Sequence, residues 1–206
     1  MKHNGFEYVD LGLPSGTKWA KCNVGAESET DYGLHFAWGD TKGYYNVTNS
    51  NRFTSEDYKF SLDGSSSKFI KYNMIDGKTI LDLEDDAAYV NMGGRWHIPS
   101  INQIEELISN TKITWEYDYK GSDSSGMLFT SNINSEKIFI PASGYLGNGR
   151  IGGLDDFGYI WSNYHKLSTV DNGYYMRCHA DLSGVSYSSR YYGLSVRGVF
   201  NTFWIK

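Results

Sequence analysis

Residues 157–200 read FGYIWSNYHKLSTVDNGYYMRCHADLSGVSYSSRYYGLSVRGVF, and the rest of the chain is best understood around them. Seven of the 17 tyrosines in the chain fall inside this stretch. Tyrosine is amphipathic and has few rotatable bonds, so dense tyrosine mixed with serine, glycine, arginine and histidine is typical of a contact surface. The composition therefore favours binding over chemistry.

Apolar and polar side chains alternate after the Asp-Asn-Gly turn at 171–173. Alternate residues of an extended chain lie on opposite sides. The two sides are Met176, Cys178 and Ala180, and Tyr175, Arg177 and His179. We expect the first side to pack in a core and the second to face outward. The alternative is that these tyrosines close a small aromatic core.

Length and composition narrow the classes of protein. A chain of 206 residues is long enough to bury a large core, so residues 1–206 are predicted to form one domain. The net charge of −5 and the absence of a basic run argue against a nucleic-acid partner. The 23 glycines and 16% aromatic residues favour a turn-rich, β-dominated domain. No apolar run resembles a signal peptide or a membrane span, so no membrane insertion is expected.

Local signals predict the order of the elements. Two short strands split by a turn at 13–16 predict a hairpin over residues 6–24, and the polar region 41–77 predicts little regular structure. A helix is predicted to start near Asp82 and to stop at Gly93-Gly94, and a second one to follow the capping box at Ser100. Strands are predicted at 127–130 and 137–140. Helices followed by strands indicate an α+β domain.

Six strings of the sequence carry a family resemblance. They are VDLGLPSGTKWA (9–20), NVGA (23–26), YGLHFAWGD (32–40), LEDDAAYVNMGGRWHIPS (83–100), IFIPASGY (138–145) and RYYGLSVRGVF (190–200). In this order they resemble the Fibrobacter succinogenes major paralogous domain. Gly198 and His97 depart from the family pattern, which usually has proline and arginine there.

The resemblance implies a fold, a location and a function. The fold would be C-type lectin-like in its formylglycine-generating-enzyme-like form, with two helices and a mostly antiparallel, twisted sheet with long loops. The family is typical of surface and secreted proteins of gut Bacteroidetes and their mobile elements, so an extracellular, cell-surface or virion-exposed location is expected. It is also similar to the variable proteins of diversity-generating retroelements, in which the last strands and loops of this fold bind a ligand.

The resemblance and the composition together predict a ligand-binding surface within residues 157–200. Its predicted members are Tyr164, His165, Tyr174, Tyr175, Arg177, His179, Tyr187, Ser188, Ser189, Arg190 and Tyr191. The expected partner is a protein or a glycan on another cell or particle. Three alternatives stay open: a carbohydrate-binding module, a structural subunit of a surface or virion assembly, and a vestigial enzyme of the formylglycine-generating type.

Acidic clusters are the first candidates for chemistry. Asp82, Glu84, Asp85 and Asp86 form one cluster, and Asp155-Asp156 form another; both could hold Ca²⁺ or act as paired carboxylates. Helix capping explains the first cluster and a turn explains the second. The calcium and sugar motifs of vertebrate C-type lectins, Glu-Pro-Asn and Trp-Asn-Asp, do not occur. We therefore predict no metal and no cofactor.

Cysteine chemistry is not predicted either. Cys178 and His179 are neighbours on a strand and point to opposite faces, so they would not meet. Formylglycine-generating enzymes use two carboxy-terminal cysteines, and this chain has one in that region. Whether Cys22 and Cys178 pair is left open. The histidines lack metal-ligand spacing. The resemblance implies that Trp38, Trp96 and Trp161 are core residues, because they belong to the scaffold of the family. The prediction is a domain that is not an enzyme.

Overall fold

The computed structural model describes residues 1–45 and 52–201, which form an α+β arrangement of mostly antiparallel sheets. The central sheet has five strands: β4 (His35–Phe36), β10 (Gly158–His165), β11 (Asn172–His179), β12 (Leu182–Ser189) and β13 (Leu194–Ser195). Their spatial order is β12-β11-β10-β13-β4, and only the β10–β13 pair is parallel. Residues 157–200 thus supply four of the five strands.

A second sheet joins the two ends of the described chain. Its strands are β1 (Lys2–His3), β2 (Phe6–Val9), β3 (Thr17–Ala20) and β14 (Val199–Asn201). Their order is β1-β2-β3-β14. The predicted hairpin over residues 6–24 is confirmed, because β2 pairs antiparallel with β3 and places Val9 beside Trp19.

Two smaller sheets complete the strands. They are formed by β5 (Thr111–Glu116), β6 (Gly126–Ser131) and β7 (Lys137–Pro141), and by β8 (Ser143–Gly147) and β9 (Arg150–Leu154). The strands predicted at 127–130 and 137–140 correspond to β6 and β7. The β8–β9 hairpin turns at Asn148-Gly149, where both residues have positive φ, 51° and 70°. An Asn-Gly pair is a strong hairpin signal, because both residues tolerate the left-handed conformation.

The two α-helices are α1 (Ala87–Met92) and α2 (Ile101–Ser109). The prediction that the first helix starts near Asp82 is wrong, because Asp86 is extended (φ −90°, ψ 110°) and separates a 3₁₀ turn at Leu83–Asp85 from α1. The Asp86 carboxylate caps α1 by accepting from the Tyr89 amide. The capping box of α2 at Ser100 is confirmed.

The central sheet has a core on each side. Ile160, Met176 and Cys178 pack with Ile104 and Leu107 of α2 on the inner face. Alternate residues of the same strands lie on the outer face, where Trp161 and Tyr175 join an aromatic core. Trp38, Trp96 and Trp161 are fully buried, as predicted. The core stripe of β11 ends at Cys178, because Ala180 lies in the exposed turn that follows.

The polar region 41–77 contains aromatic core residues despite its composition. Residues 46–51 of this region lie outside the described residues. In 41–45 and 52–77 only isolated bridges occur, which agrees with the predicted lack of regular structure. Tyr58, Phe60, Phe69 and Tyr72 are nevertheless buried. This excursion therefore covers the central sheet.

Candidate functional site

An aromatic cleft opens on the outer face of the central sheet. Tyr159 of β10 lies directly opposite Arg177 of β11, and Trp161 lies opposite Tyr175. Tyr145 of β8 and Tyr192, which follows β12, close over this face. The resulting tyrosine cleft has a volume of about 220 Å³. It is lined by Tyr145, Tyr159, Tyr175, Ser188, Tyr192 and Leu194.

The rings of the cleft are held by one another. Tyr145 stacks on Tyr192 with 5.6 Å between ring centroids. Tyr145 also meets Tyr159 nearly edge-on, with 6.0 Å between ring centroids. Tyr159 also meets Tyr175 edge-on at 5.3 Å. Such aromatic pairs add about 0.5 to 1.5 kcal/mol beyond the burial of their area. The rings are therefore fixed before any ligand arrives.

A second lobe continues the cleft past the Tyr145–Tyr192 pair. It encloses about 410 Å³, and the two stacked rings are shared by both lobes. Its lining consists of Tyr145, Gly147, Asn148, Arg150, Ile151, Gly152 and Tyr192. Glycine is needed here, because a Cβ on Gly152 would lie 2.5 Å from the Tyr145 ring and one on Gly147 would lie 3.0 Å from Tyr192. The glycines of β8 and β9 thus make room for the tyrosines.

A cation and further rings lie beside the cleft. His179 stacks on Phe157 at 4.4 Å, and Phe157 stacks on Tyr159 at 5.7 Å. The Arg177 guanidinium forms no hydrogen bond and no ion pair with any residue in 1–45 or 52–201. Burial raises the pKa of Tyr159 to about 12 despite the nearby Arg177 charge. The Tyr159 phenol is therefore protonated at neutral pH and able to donate a hydrogen bond.

Arg190 is buried, and its prediction as an exposed binding residue is wrong. Its side chain is 0% exposed. The guanidinium donates to the Tyr58 hydroxyl and to the carbonyls of Lys71, Tyr72 and Val170. It also lies 4.3 Å from the centroid of the Phe69 ring. We call this site, formed by Arg190, Trp38, Tyr58, Phe69 and Tyr72, the arginine chamber.

His165 is also in the core, so the prediction that it faces a ligand is wrong. It is 0% exposed, its Nε2 lies 2.7 Å from the Lys78 carbonyl, and its ring meets Trp38 edge-on. Burial lowers its pKa, which keeps the imidazole neutral. Tyr175 is only 8% exposed and supports the cleft more than it displays a surface.

The other predicted residues are divided between the two faces of the sheet. Ser188 lines the tyrosine cleft, Arg177 and His179 lie beside it, and Tyr191 packs edge-on against Tyr192 at 5.1 Å. A second group lies on the opposite face: Tyr164, Tyr174, Tyr187 and Ser189. A bulge in β10 between Trp161 and His165 and the strand alternation cause this split. A single surface containing all the predicted residues is therefore excluded.

Sequence reasoning missed part of the cleft. Tyr145, Tyr159, Tyr192 and Arg150 were outside the predicted set, although Tyr159 and Tyr192 lie within residues 157–200. The Asn-Gly turn of the β8–β9 hairpin was the available signal for the segment that carries Tyr145 and Arg150.

The acidic cluster near α1 is neutralised by lysines. The Lys71 ammonium contacts Asp82, Glu84 and Asp85 at once, and Lys59 also pairs with Asp85. Burial alone would raise the pKa of Asp85, but hydrogen bonds from these lysines and Tyr72 hold it below its ordinary value. An ammonium thus lies where these carboxylates would otherwise hold a cation. The other acidic pair, Asp155-Asp156, is in the turn after β9, where Asp155 accepts from Tyr32.

The cysteines are free and apart from the cleft. Cys178 is fully buried on the inner face, and burial raises the pKa of its thiol to about 12. Cys22 is partly buried and does not pair with it. His179 points to the outer face and stacks on Phe157, so it does not serve Cys178 as a base.

A second arginine, Arg197, is buried without a carboxylate partner. It donates to the side chain of Asn23 and to the carbonyls of Ala20, Lys21 and Phe139. Burial lowers its pKa to about 10, so it is still charged at neutral pH. Arg197 therefore joins the second sheet to β7.

No helix in the described parts of the chain is long and apolar enough to span a membrane. Comparison with protein-family models, curated proteins and solved structures finds no match for this chain. The family resemblance of its six strings stays a prediction. The function is therefore argued from the tyrosine cleft itself.

Proposed function

We propose that this chain is a non-catalytic ligand-recognition domain that binds through the tyrosine cleft. The observation that carries the proposal is an open cleft in which four tyrosines from separate segments meet over the central sheet. Tyrosine supplies contact area and a hydroxyl at a small cost in conformational entropy. Because neighbouring rings already hold each other, little further ordering is needed on binding.

The lining of the cleft supports recognition over catalysis. Its side chains are tyrosine, serine and leucine, and its lobe adds asparagine, arginine, isoleucine and glycine. Neither lining includes a carboxylate, a thiol or an imidazole. With the pKa of Tyr159 raised to about 12, this phenol is a poor general base at neutral pH.

We extend the proposal to the fold and origin of the domain. A C-type lectin-like fold is compatible with the two helices and the mostly antiparallel sheets. The chain would then act as a variable protein of a diversity-generating retroelement, at a cell or virion surface, with a protein or glycan ligand. A nearby reverse transcriptase gene and a template copy that differs at adenines would support this origin; their absence would count against it.

The unpaired edge of β12 in the described chain favours a second candidate function, that of a structural subunit in a larger assembly. β12 pairs with β11 on one side, and no other strand in the described chain pairs with its outer edge. Its sequence, LSGVSYSS, has no charge and no proline, which are the usual protections of an edge strand. A partner strand could therefore add there. Sedimentation would separate the candidates, because a stable oligomer supports the structural role.

A cleft-filling variant tests the recognition proposal. Ser188→Trp places a large ring inside the cleft, whereas Ser189→Trp places the same ring on the opposite face of β12. Ligands are first selected with the unmodified chain from a glycan array and a displayed peptide library. We expect Ser188→Trp to lose at least tenfold in affinity for those ligands and Ser189→Trp to retain it, with both thermal midpoints close to that of the unmodified chain. Equal affinity of both variants would show that the cleft is not the binding site.

A further inference from the structure

The arginines near the two lobes of the cleft differ from the other arginines of the chain. Four of the six arginines of the chain have partners: Arg52, Arg95, Arg190 and Arg197. The guanidinium groups of the other two, Arg150 and Arg177, form no hydrogen bond and no ion pair with any residue that the structure describes. Arg150 lines the second lobe of the tyrosine cleft, and Arg177 lies beside the first lobe, opposite Tyr159.

Each of these arginines lies next to a different lobe of the cleft. Arg177 is directly opposite Tyr159 on the outer face, and side chains so placed have their Cβ atoms about 4.5 to 5.5 Å apart. Its charge is close enough to oppose the rise in the pKa of the Tyr159 phenol. Arg150 lines the second lobe, beyond the stacked Tyr145–Tyr192 pair. Two guanidinium groups therefore flank one continuous row of rings.

Acidic side chains do not offset these charges in the cleft. Neither lobe has an aspartate or a glutamate in its lining, although the chain as a whole carries a net charge of −5. The nearby Asp181 is 92% exposed and lies 3.9 Å from His179. Guanidinium groups bind carboxylates and sulfates through paired hydrogen bonds, which are stronger than hydrogen bonds between neutral groups. The cleft thus has positive charge without an internal counter-ion.

We infer that the ligand of the cleft is an acidic oligosaccharide, with sugar rings packed on the tyrosines and a carboxylate or sulfate at each arginine. The inference rests on the proposed function of the cleft. A lobe of about 220 Å³ is smaller than the 300 to 1,000 Å³ of a drug-sized site, so it suits one ring. The two lobes on either side of the Tyr145–Tyr192 pair suit successive rings of one chain.

Two other classes of ligand, nucleic acids and apolar peptides, fit these observations less well. A nucleic acid also stacks on aromatic rings, but it needs a wide basic field, and this chain is acidic and has no basic run. An apolar peptide anchor needs a deep apolar pocket. Here the rings carry hydroxyls, and the remaining lining includes Ser188 and Asn148, which suit the hydroxyls of a sugar.

An array of matched oligosaccharides tests the inference. It holds oligogalacturonates, hyaluronan fragments, chondroitin sulfate fragments and sialyllactose, each beside its methyl-esterified, desulfated or desialylated counterpart, together with a short oligothymidylate. We expect binding to be confined to acidic saccharides. The carboxylated and sulfated members separate the two possible anions. Equal binding of the neutral counterparts, stronger binding of the oligothymidylate, or no saccharide binding would each overturn the inference.

Charge-removing variants then locate the anion by calorimetry with the tightest saccharide of the array. We expect Arg177→Gln and Arg150→Gln each to reduce affinity about tenfold or more, as expected for loss of a charge-assisted hydrogen bond. Lys112→Gln removes the same charge from an exposed position on β5 and should leave affinity unchanged. Unchanged affinity in both arginine variants would overturn the inference. If Ser188→Trp still abolishes that binding, the recognition function stands; if binding also survives Ser188→Trp, the cleft is not a binding site.

Discussion

The arginine chamber and the tyrosine cleft both place an arginine next to aromatic rings, but the two arginines have opposite roles. Arg190 lies inside the chamber, Arg177 lies beside the cleft opposite Tyr159, and both come from the same stretch of sequence. Arg190 is 0% exposed and donates to three carbonyls and one hydroxyl. The Arg177 guanidinium has no polar partner within 1–45 or 52–201.

The difference comes from the backbone around each arginine. Arg177 lies in the middle of β11, where the strands β10 and β12 on either side satisfy the carbonyls. Arg190 follows the end of β12 and faces the irregular region that includes Lys71 and Tyr72, whose carbonyls need donors. An arginine among aromatic rings is thus buried where irregular backbone surrounds it and remains available where regular strands surround it.

Removal of each guanidinium should give the largest difference in stability between the chamber and the cleft. Arg190→Ala should lower the free energy of unfolding by about 3 to 5 kcal/mol, because it leaves a cavity and three unsatisfied carbonyls. Arg177→Ala should change it by less than about 0.5 kcal/mol. Urea denaturation measures both. Similar losses in the two variants would mean that the cleft is also structural.

Two glycine substitutions test how firmly the rings of the cleft are held. In Gly152→Ala, the new Cβ would lie 2.5 Å from the Tyr145 ring, so we expect a loss of about 1 to 3 kcal/mol and displacement of that ring. In Gly184→Ala, on β12, no atom lies within 4 Å of the new Cβ, and stability should stay equal or rise by up to about 1 kcal/mol. Thermal unfolding and ligand titration report the two effects. A harmless Gly152→Ala would show that Tyr145 is loosely held.

The smallest predicted effect is a loss of stability at acid pH that comes from His165 beside the arginine chamber. His165 packs on Trp38 of the chamber, and burial lowers its pKa below 6.5. The unfolded chain therefore binds a proton more readily than the folded chain, and this part of the stability is complete above pH 6.5 and is lost as the pH falls. The slope is at most about 1.4 kcal/mol per pH unit for one such group.

The measurement compares denaturant midpoints of the unmodified chain and His165→Asn at several pH values from about 8 to 5. We expect a shallower dependence on pH in the variant. His35 is also buried with a lowered pKa and remains in both proteins, so some dependence should persist. Parallel curves would exclude a neutral, buried His165 as a source of the acid sensitivity.

The sequence predicts local features of the fold well. The capping box at Ser100 follows from nearby residues alone. Alternation along β11 correctly places Met176 and Cys178 in the core. These signals need no knowledge of distant segments.

The sequence predicts the site less well, because its parts meet only in three dimensions. The burial of Arg190 depends on carbonyls more than 100 residues away in the chain. The cleft needs Tyr145, which a hairpin outside residues 157–200 supplies. Composition identifies the segment that contains much of the cleft but does not tell which tyrosines face solvent.

The two buried arginines also determine when the chain can complete its fold during synthesis. Arg190 and Arg197 hold carbonyls between Ala20 and Val170, all of which a ribosome synthesises earlier. A nascent chain that has reached only residue 180 has no guanidinium for either site and leaves the surrounding aromatic residues uncovered. The two sites can therefore close only after the last strands have been translated, and until then the growing polypeptide exposes apolar surface that is prone to aggregation.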